Sequence, residues 1–229
     1  MSRPELLLLV TGCGTGVGKT WVGAGLLEAV RLRGLSVAAR KPVQSYAEGD
    51  AETDADLLAR ATGLKAEEVC PRHRGYPVPL APPIAAHLLG RPAYTIGELV
   101  AELDWGPAQV GLIEGAGGVR SPLAADGDTA SLAQAIRPDR VILVADAGLG
   151  AIHAVRSSLD GLSGLAVTVF LNRFEATDEV HATNRSWLAN QDGLEVATRV
   201  TDLTELVLAA AGGTATGGEL GTRPAPHRR

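Results

Sequence analysis

Three short segments of this chain combine glycine, lysine, hydroxyl and carboxylate groups in patterns that can handle phosphate. The first is Gly12-Cys13-Gly14-Thr15-Gly16-Val17-Gly18-Lys19-Thr20. Glycines let backbone N–H groups curl around phosphate oxygens, a lysine reaches the outer phosphates, and a hydroxyl holds Mg²⁺. Gly14, Gly16, Val17 and Gly18 form the cradle, Lys19 supplies the ammonium and Thr20 the hydroxyl. The spacing departs from GxxxxGK[ST]: Cys13 stands at the first glycine, and Gly12 lies one residue further out. A dinucleotide GxGxxG fails in both registers, because Val17 and Lys19 stand where its last glycine is needed.

The second segment is Lys41-Pro42-Val43-Gln44-Ser45. Lysine is scarce here, with Lys19, Lys41 and Lys65 against eighteen arginines. Arginine serves as the general surface cation, so a retained lysine points to a task for an ammonium group. Two ammonium groups on one rim suit a triphosphate and the charge that develops in phosphoryl transfer. The third segment is Glu114-Gly115-Ala116-Gly117-Gly118. Glu114 ends an apolar run, where a carboxylate is suited to Mg²⁺, and glycines such as Gly117 let backbone approach a ligand closely. Asp146 also ends an apolar run and is an equal candidate on these grounds. Asp54 and Asp56 open a helical segment, where capping explains either of them.

The elements that must position these groups alternate. Leu6–Val10 is a continuous apolar run, the pattern of a strand buried on both faces of a parallel sheet. Further strands are expected at 35–40, 110–113, 141–144 and 166–171. Helices are expected at 20–33, about 54–61, near 84–89 and 96–103, and at 132–136, 152–162 and 180–190. A Pro-rich stretch spans 77–83. Alternation of this kind predicts an α/β fold, a doubly wound, mainly parallel sheet flanked by helices, in a single domain over residues 1–211. Residues 212–229 are rich in Gly, Thr, Pro and Arg and read as a disordered tail. In such a sheet, ligands sit beyond the carboxyl ends of the strands, which puts Lys41 on the same rim as Lys19.

The chain has 229 residues, 45% apolar, with a net charge of −5. That composition excludes wholesale disorder and disfavours a non-specific nucleic-acid binder. No stretch approaches the roughly 20 apolar residues of a membrane helix, and the N-terminus lacks a signal-peptide pattern. A soluble, cytoplasmic protein is expected. The two cysteines form neither a disulfide framework nor a CxxC pair, and the five histidines lack zinc spacing. Cys13 sits at a helix N-terminus, where a thiol pKa tends to fall. It lacks an evident histidine partner and reads as a loop-packing residue.

Taken together, the P-loop, Lys41-Pro-Val-Gln-Ser45 and Glu114-Gly-Ala-Gly-Gly118, with Ser121-Pro-Leu123, resemble the dethiobiotin synthetase family over roughly residues 6–175. That family shares the P-loop spacing seen here. The resemblance implies a P-loop NTPase fold, an ATP-dependent cyclo-ligase and a homodimer. Its substrates would be 7,8-diaminopelargonic acid, CO₂ and ATP, with Mg²⁺, and neither nucleic acid nor membrane would be a partner. It also implies roles. Lys19 would neutralise the β/γ-phosphates, and Lys41 would stabilise a carbamate and the transferring phosphoryl group. Thr15 and Ser45 would bond the amino or carbamate group. Thr20, Asp54 and Glu114 would hold Mg²⁺, Asp54 being preferred over Asp56 and Glu114 over Asp146. Asn172 matches the adenine-reading asparagine.

The chain departs from the family in the Leu149-Gly150-Ala151-Ile152 segment, which is followed by His153 where the family carries Asn. There the segment reaches across the dimer to the substrate carboxylate, so Gly150 and His153 are expected at the substrate. The family's nucleotide-contacting Pro segment is not evident near Val200. Two alternatives are a partitioning or switch-type P-loop ATPase and another P-loop small-molecule ligase. The first usually carries an extra lysine early in the loop, which Gly12-Cys13-Gly14 does not offer.

Overall fold

The computed structural model describes residues 3–214. Six parallel strands form the central sheet: β1 (Leu6–Gly12), β2 (Val37–Arg40), β5 (Val110–Glu114), β8 (Arg140–Asp146), β9 (Val167–Asn172) and β10 (Glu195–Ala197), in the order β10-β9-β8-β1-β5-β2. Two small ladders lie apart from it, β3 (Gln44–Ser45) with β4 (Gly75–Tyr76), and β6 (Pro122–Ala124) with β7 (Gly127–Asp128). The helices are α1 (Lys19–Leu32), α2 (Asp54–Thr62), α3 (Ala66–Val69), α4 (Pro82–Leu88), α5 (Ile96–Ala101), α6 (Thr129–Ile136), α7 (Ala151–Leu159), α8 (Glu179–Asn190) and α9 (Val200–Thr214).

Every residue of β1 is buried. Side chains alternate across a strand, so β1 feeds two cores. Leu6, Leu8 and Val10 pack with Leu26 and Val30 of α1, Leu58 of α2 and Leu203 of α9. Leu7 and Leu9 pack with Leu99 of α5, Leu132 of α6, Val155 of α7 and Leu188 of α8. The doubly wound arrangement follows from this two-sided burial.

The chain leaves β1 for β2, fills the gap with β5, and then crosses to β8 on the other side of β1. The strand order therefore reverses at β1, which pairs with β5 through Val10↔Glu114 and with β8 through Gly12↔Val144. The crevice at such a switch point is where α/β sheets bind ligands.

The expected elements are present with shifted ends. α6 begins at Thr129, three residues early, because Asp128 and Ser131 form a capping box ahead of it. The expected helix at 152–162 is α7 followed by a 3₁₀ turn at Asp160–Leu162. Outside the sequence reading fall α3, β10, the 15-residue α9 and the two small ladders β3–β4 and β6–β7. The expected boundary after residue 211 lies inside α9, and residues 215–229 of the expected tail lie outside the described residues. Among the described residues, no helix is long and apolar enough to cross a membrane.

Candidate active site

The loop 13–18 leaves the carboxyl end of β1 and turns straight into α1. Gly18 caps α1 with φ +92°, a left-handed conformation that favours glycine, and a Cβ there would collide with the Asn172 amide. Three donors hold loop carbonyls. Lys19 Nζ donates to Gly14 O (3.0 Å), Asn172 Nδ2 to Val17 O (2.9 Å) and Arg173 Nη2 to Gly16 O (2.8 Å).

Behind the loop, Thr20 Oγ1 lies within hydrogen-bond distance of two carboxylates, Asp54 Oδ1 at 2.7 Å and Glu114 Oε1 at 3.0 Å. β5 delivers Glu114 fully buried, and α2 delivers Asp54 from its first turn. Lys41, at the end of β2, is 1% exposed. Its ammonium donates to Glu114 Oε1 (2.5 Å), Asp54 Oδ2 (2.7 Å) and Gly115 O (3.1 Å), so all three of its protons are used.

Burial opposes the Lys41 charge, but Glu114 and Asp54 hold its pKa above the ordinary lysine value. Burial raises the Glu114 pKa against the pull of Lys41. Burial likewise opposes the Asp54 charge, but Lys41 overrides it and keeps that carboxyl below its usual range. Lys19 is pushed down by burial and then by the nearby Lys41 charge.

These groups border a cavity of about 600 Å³, a typical size for a small-molecule site. Thr15, Gly16, Gly18, Lys19, Thr20, Lys41, Ser45, Asp54 and Gly117 all line it. Pro79, Leu80, Ala81 and Pro82 form an apolar wall, and Ser45 Oγ donates to Leu80 O at 2.6 Å. Sequence reasoning marked this Pro-rich stretch without giving it a role. Asn172 faces a neighbouring crevice of about 450 Å³, with Trp21, Arg173, Phe174 and Thr198. Gly150 and His153 are exposed and do not line the main cavity within one chain.

Geometry separates the paired acids. Asp56 closes a capping box with Thr53, accepting from Thr53 N at 2.8 Å, while Asp54 faces Thr20 and Lys41. Asp146 is exposed, pairs with Arg173 (2.7 Å) and accepts from Gly148 N, away from Thr20. Arg173 was not anticipated. It is one of many arginines, and its mark, φ +54°, is conformational. Cys13 corrects the expected tendency toward a lowered thiol pKa. It is half-buried against the core, and burial raises its pKa.

The division of labour is testable. Asp56→Ala is expected to cost about 1 kcal/mol of stability, the worth of a helix cap, with turnover retained. Asp54→Ala is expected to abolish turnover. Urea denaturation and steady-state assays of both variants check this.

Among solved structures, a plasmid partition protein from Borrelia burgdorferi is similar with a TM-score of 0.54 at 12% identity, covering 93% of this chain and 99% of that one. At that identity the likeness concerns the fold alone. Residues 7–206 match the family described as an AAA domain. An "ATP-dependent dethiobiotin synthetase BioD" from Caulobacter vibrioides (strain NA1000 / CB15N) is 40% identical over 173 residues, 71% of this chain and 78% of that protein. Proteins of the same name from Anaeromyxobacter sp. (strain Fw109-5) and Mycobacterium tuberculosis (strain ATCC 25177 / H37Ra) are 35% and 38% identical, covering 87% and 80% of this chain and 91% and 82% of theirs. The chain therefore belongs to the AAA-domain family matched over residues 7–206 and to the family of ATP-dependent dethiobiotin synthetases.

Proposed function

We propose that this chain uses ATP to close 7,8-diaminopelargonic acid and CO₂ into the cyclic urea of dethiobiotin. The observation that carries the reading is the pair of buried ammonium groups, Lys19 and Lys41, on one cavity with the Asp54–Glu114–Thr20 cluster behind it.

One substrate amine adds to CO₂ to give a carbamate. A carbamate oxygen attacks the γ-phosphorus, releasing ADP and leaving a carbamic-phosphoric anhydride. The second amine attacks the carbonyl carbon, phosphate departs and the ring closes. The substrate carries its own nucleophiles, so the protein binds, orients and neutralises. Loop N–H groups and Lys19 hold the β/γ-phosphates, Lys41 meets the carbamate and the transferring phosphoryl group, and Thr15 and Ser45 orient the amino end.

Thr20, Asp54 and Glu114 offer the hard oxygen donors that Mg²⁺ prefers, usually one or two carboxylates completed by substrate phosphates. Glu114 Oε2 is buried without a hydrogen-bond partner among the described residues, which fits a cation there. When bound with ATP, Mg²⁺ neutralises charge on the phosphate oxygens.

The adenine edge suits the Asn172 amide. Asn172→Ala is expected to raise KM for ATP about tenfold, the worth of one neutral hydrogen bond, with kcat little changed in initial-rate assays. Gly150 and His153 serve the substrate carboxylate of a second copy. Exposed Leu149 beside them, together with Ile84 and Leu88 on α4, supports a homodimer. The setting is cytoplasmic.

The test is incubation with MgATP, the diamine and ¹³C-bicarbonate. Mass spectrometry should find one ¹³C in dethiobiotin. Absence of that product from protein that binds ATP would overturn the reading.

A further inference from the structure

The ammonium of Lys41 occupies the place a cation would take. It sits between Glu114 Oε1 and Asp54 Oδ2 at 2.5 and 2.7 Å, and Thr20 Oγ1 reaches both of those carboxylates. Glu114 is fully buried, and its second oxygen has no partner among the described residues. The formal charges of Lys19, Lys41, Asp54 and Glu114 cancel. A divalent cation added to this arrangement would leave two carboxylates facing two ammonium groups and a metal. Glu114 lies too deep for water to screen that excess, and Asp54 beside it is only partly exposed. Lys41 also borders the cavity, and its four-carbon stem is flexible enough to swing the ammonium while its backbone stays tied through Lys41 N to Val69 O (2.8 Å).

We infer that Lys41 is a stand-in for the divalent cation, holding Asp54 and Glu114 in the nucleotide-free protein and leaving them for the cavity when metal and nucleotide bind together. This inference rests on the proposed assignment of Thr20, Asp54 and Glu114 to the metal. Two consequences follow. Metal alone binds weakly, because it must expel an ammonium into a cavity that holds no anion. Metal with nucleotide binds readily, because phosphate oxygens receive the expelled ammonium. Lys41 then becomes available to the carbamate only after the nucleotide is loaded, so the second substrate meets a completed site.

The experiment is Mn²⁺ titration of the nucleotide-free protein, read by the electron paramagnetic resonance signal of free Mn²⁺. K41M removes the charge and keeps the side-chain length. It is expected to bind Mn²⁺ about tenfold or more tightly than wild type, as loss of one competing charge implies. Mn²⁺ should also raise the melting temperature of K41M and leave that of wild type nearly unchanged. In K41M/E114Q the gain should vanish. Equal affinity in folded wild type and K41M, or a gain that survives E114Q, would overturn the inference. If K41M is unfolded without metal, Mn²⁺ is expected to restore its fold, and failure to do so would count equally against it.

The readout is independent of the substrate assignment. A Mn²⁺ gain in K41M, with no dethiobiotin made by wild type, would keep the exchange and reject the substrate. Dethiobiotin formation without the gain would do the reverse.

Discussion

Lys19→Met is expected to lower kcat/KM for ATP about 10³-fold, the scale of removing a cation that stabilises transferring phosphate, with the melting temperature unchanged or slightly raised. The two halves have one cause. Lys19 is 7% exposed, and among the described residues its ammonium bonds only the Gly14 carbonyl while burial and the Lys41 charge both disfavour it. A cation held at such a disadvantage contributes little to stability and is poised for an anion. Initial rates over ATP concentration, with a thermal melt of the same preparation, check both halves. A large drop in melting temperature would mean that Lys19 is structural.

Glu114→Ala behaves in the opposite way. It should cost about 3 kcal/mol of stability, the lower end for breaking a buried ion pair by removing one partner, and abolish turnover. Lys41 is 1% exposed and would keep only Asp54 and the Gly115 carbonyl. The cavity left by the side chain adds to the loss. Glu114→Gln should cost less, because the amide oxygen still accepts from Lys41, while turnover stays low for want of charge. Urea denaturation of the two variants orders them. A Glu114→Ala protein as stable as wild type would show that Lys41 finds water or another acceptor.

Much of this site was legible because its parts are local. The loop 12–20 lies between a buried strand and a helix, and its chemistry is written in consecutive residues. Lys41 stood out through the scarcity of lysine, and Glu114 through its place at the end of an apolar run. Choosing between Asp54 and Asp56 on residue physics required tertiary contacts. Both sit in the first turn of α2, and only packing against Thr20 and Lys41 separates the acid that faces the cavity from the one that closes the cap. Glu114 and Asp146 likewise end neighbouring strands on either side of β1, but β5 turns its last side chain inward and β8 leaves its own exposed beside Arg173.

The rest of the fold was less visible for physical reasons. β10 is three residues long and gains its stability from pairing with β9. α9 opens with Val200 and Thr201, poor helix formers, and closes with Gly212 and Gly213, so tertiary packing of Leu203 and Val207 on α1 and the sheet overrides propensity. The apolar wall at 79–82 carries no polar signature of a site. Gly150 and His153 lie outside the cavity of a single chain, so their expected role needs a second copy.

The most direct test of the central claim is phosphate release from MgATP with bicarbonate, measured with and without 7,8-diaminopelargonic acid. Release should depend strictly on the diamine and match cyclic urea formed one for one. Phosphate release at the same rate without the diamine would contradict it.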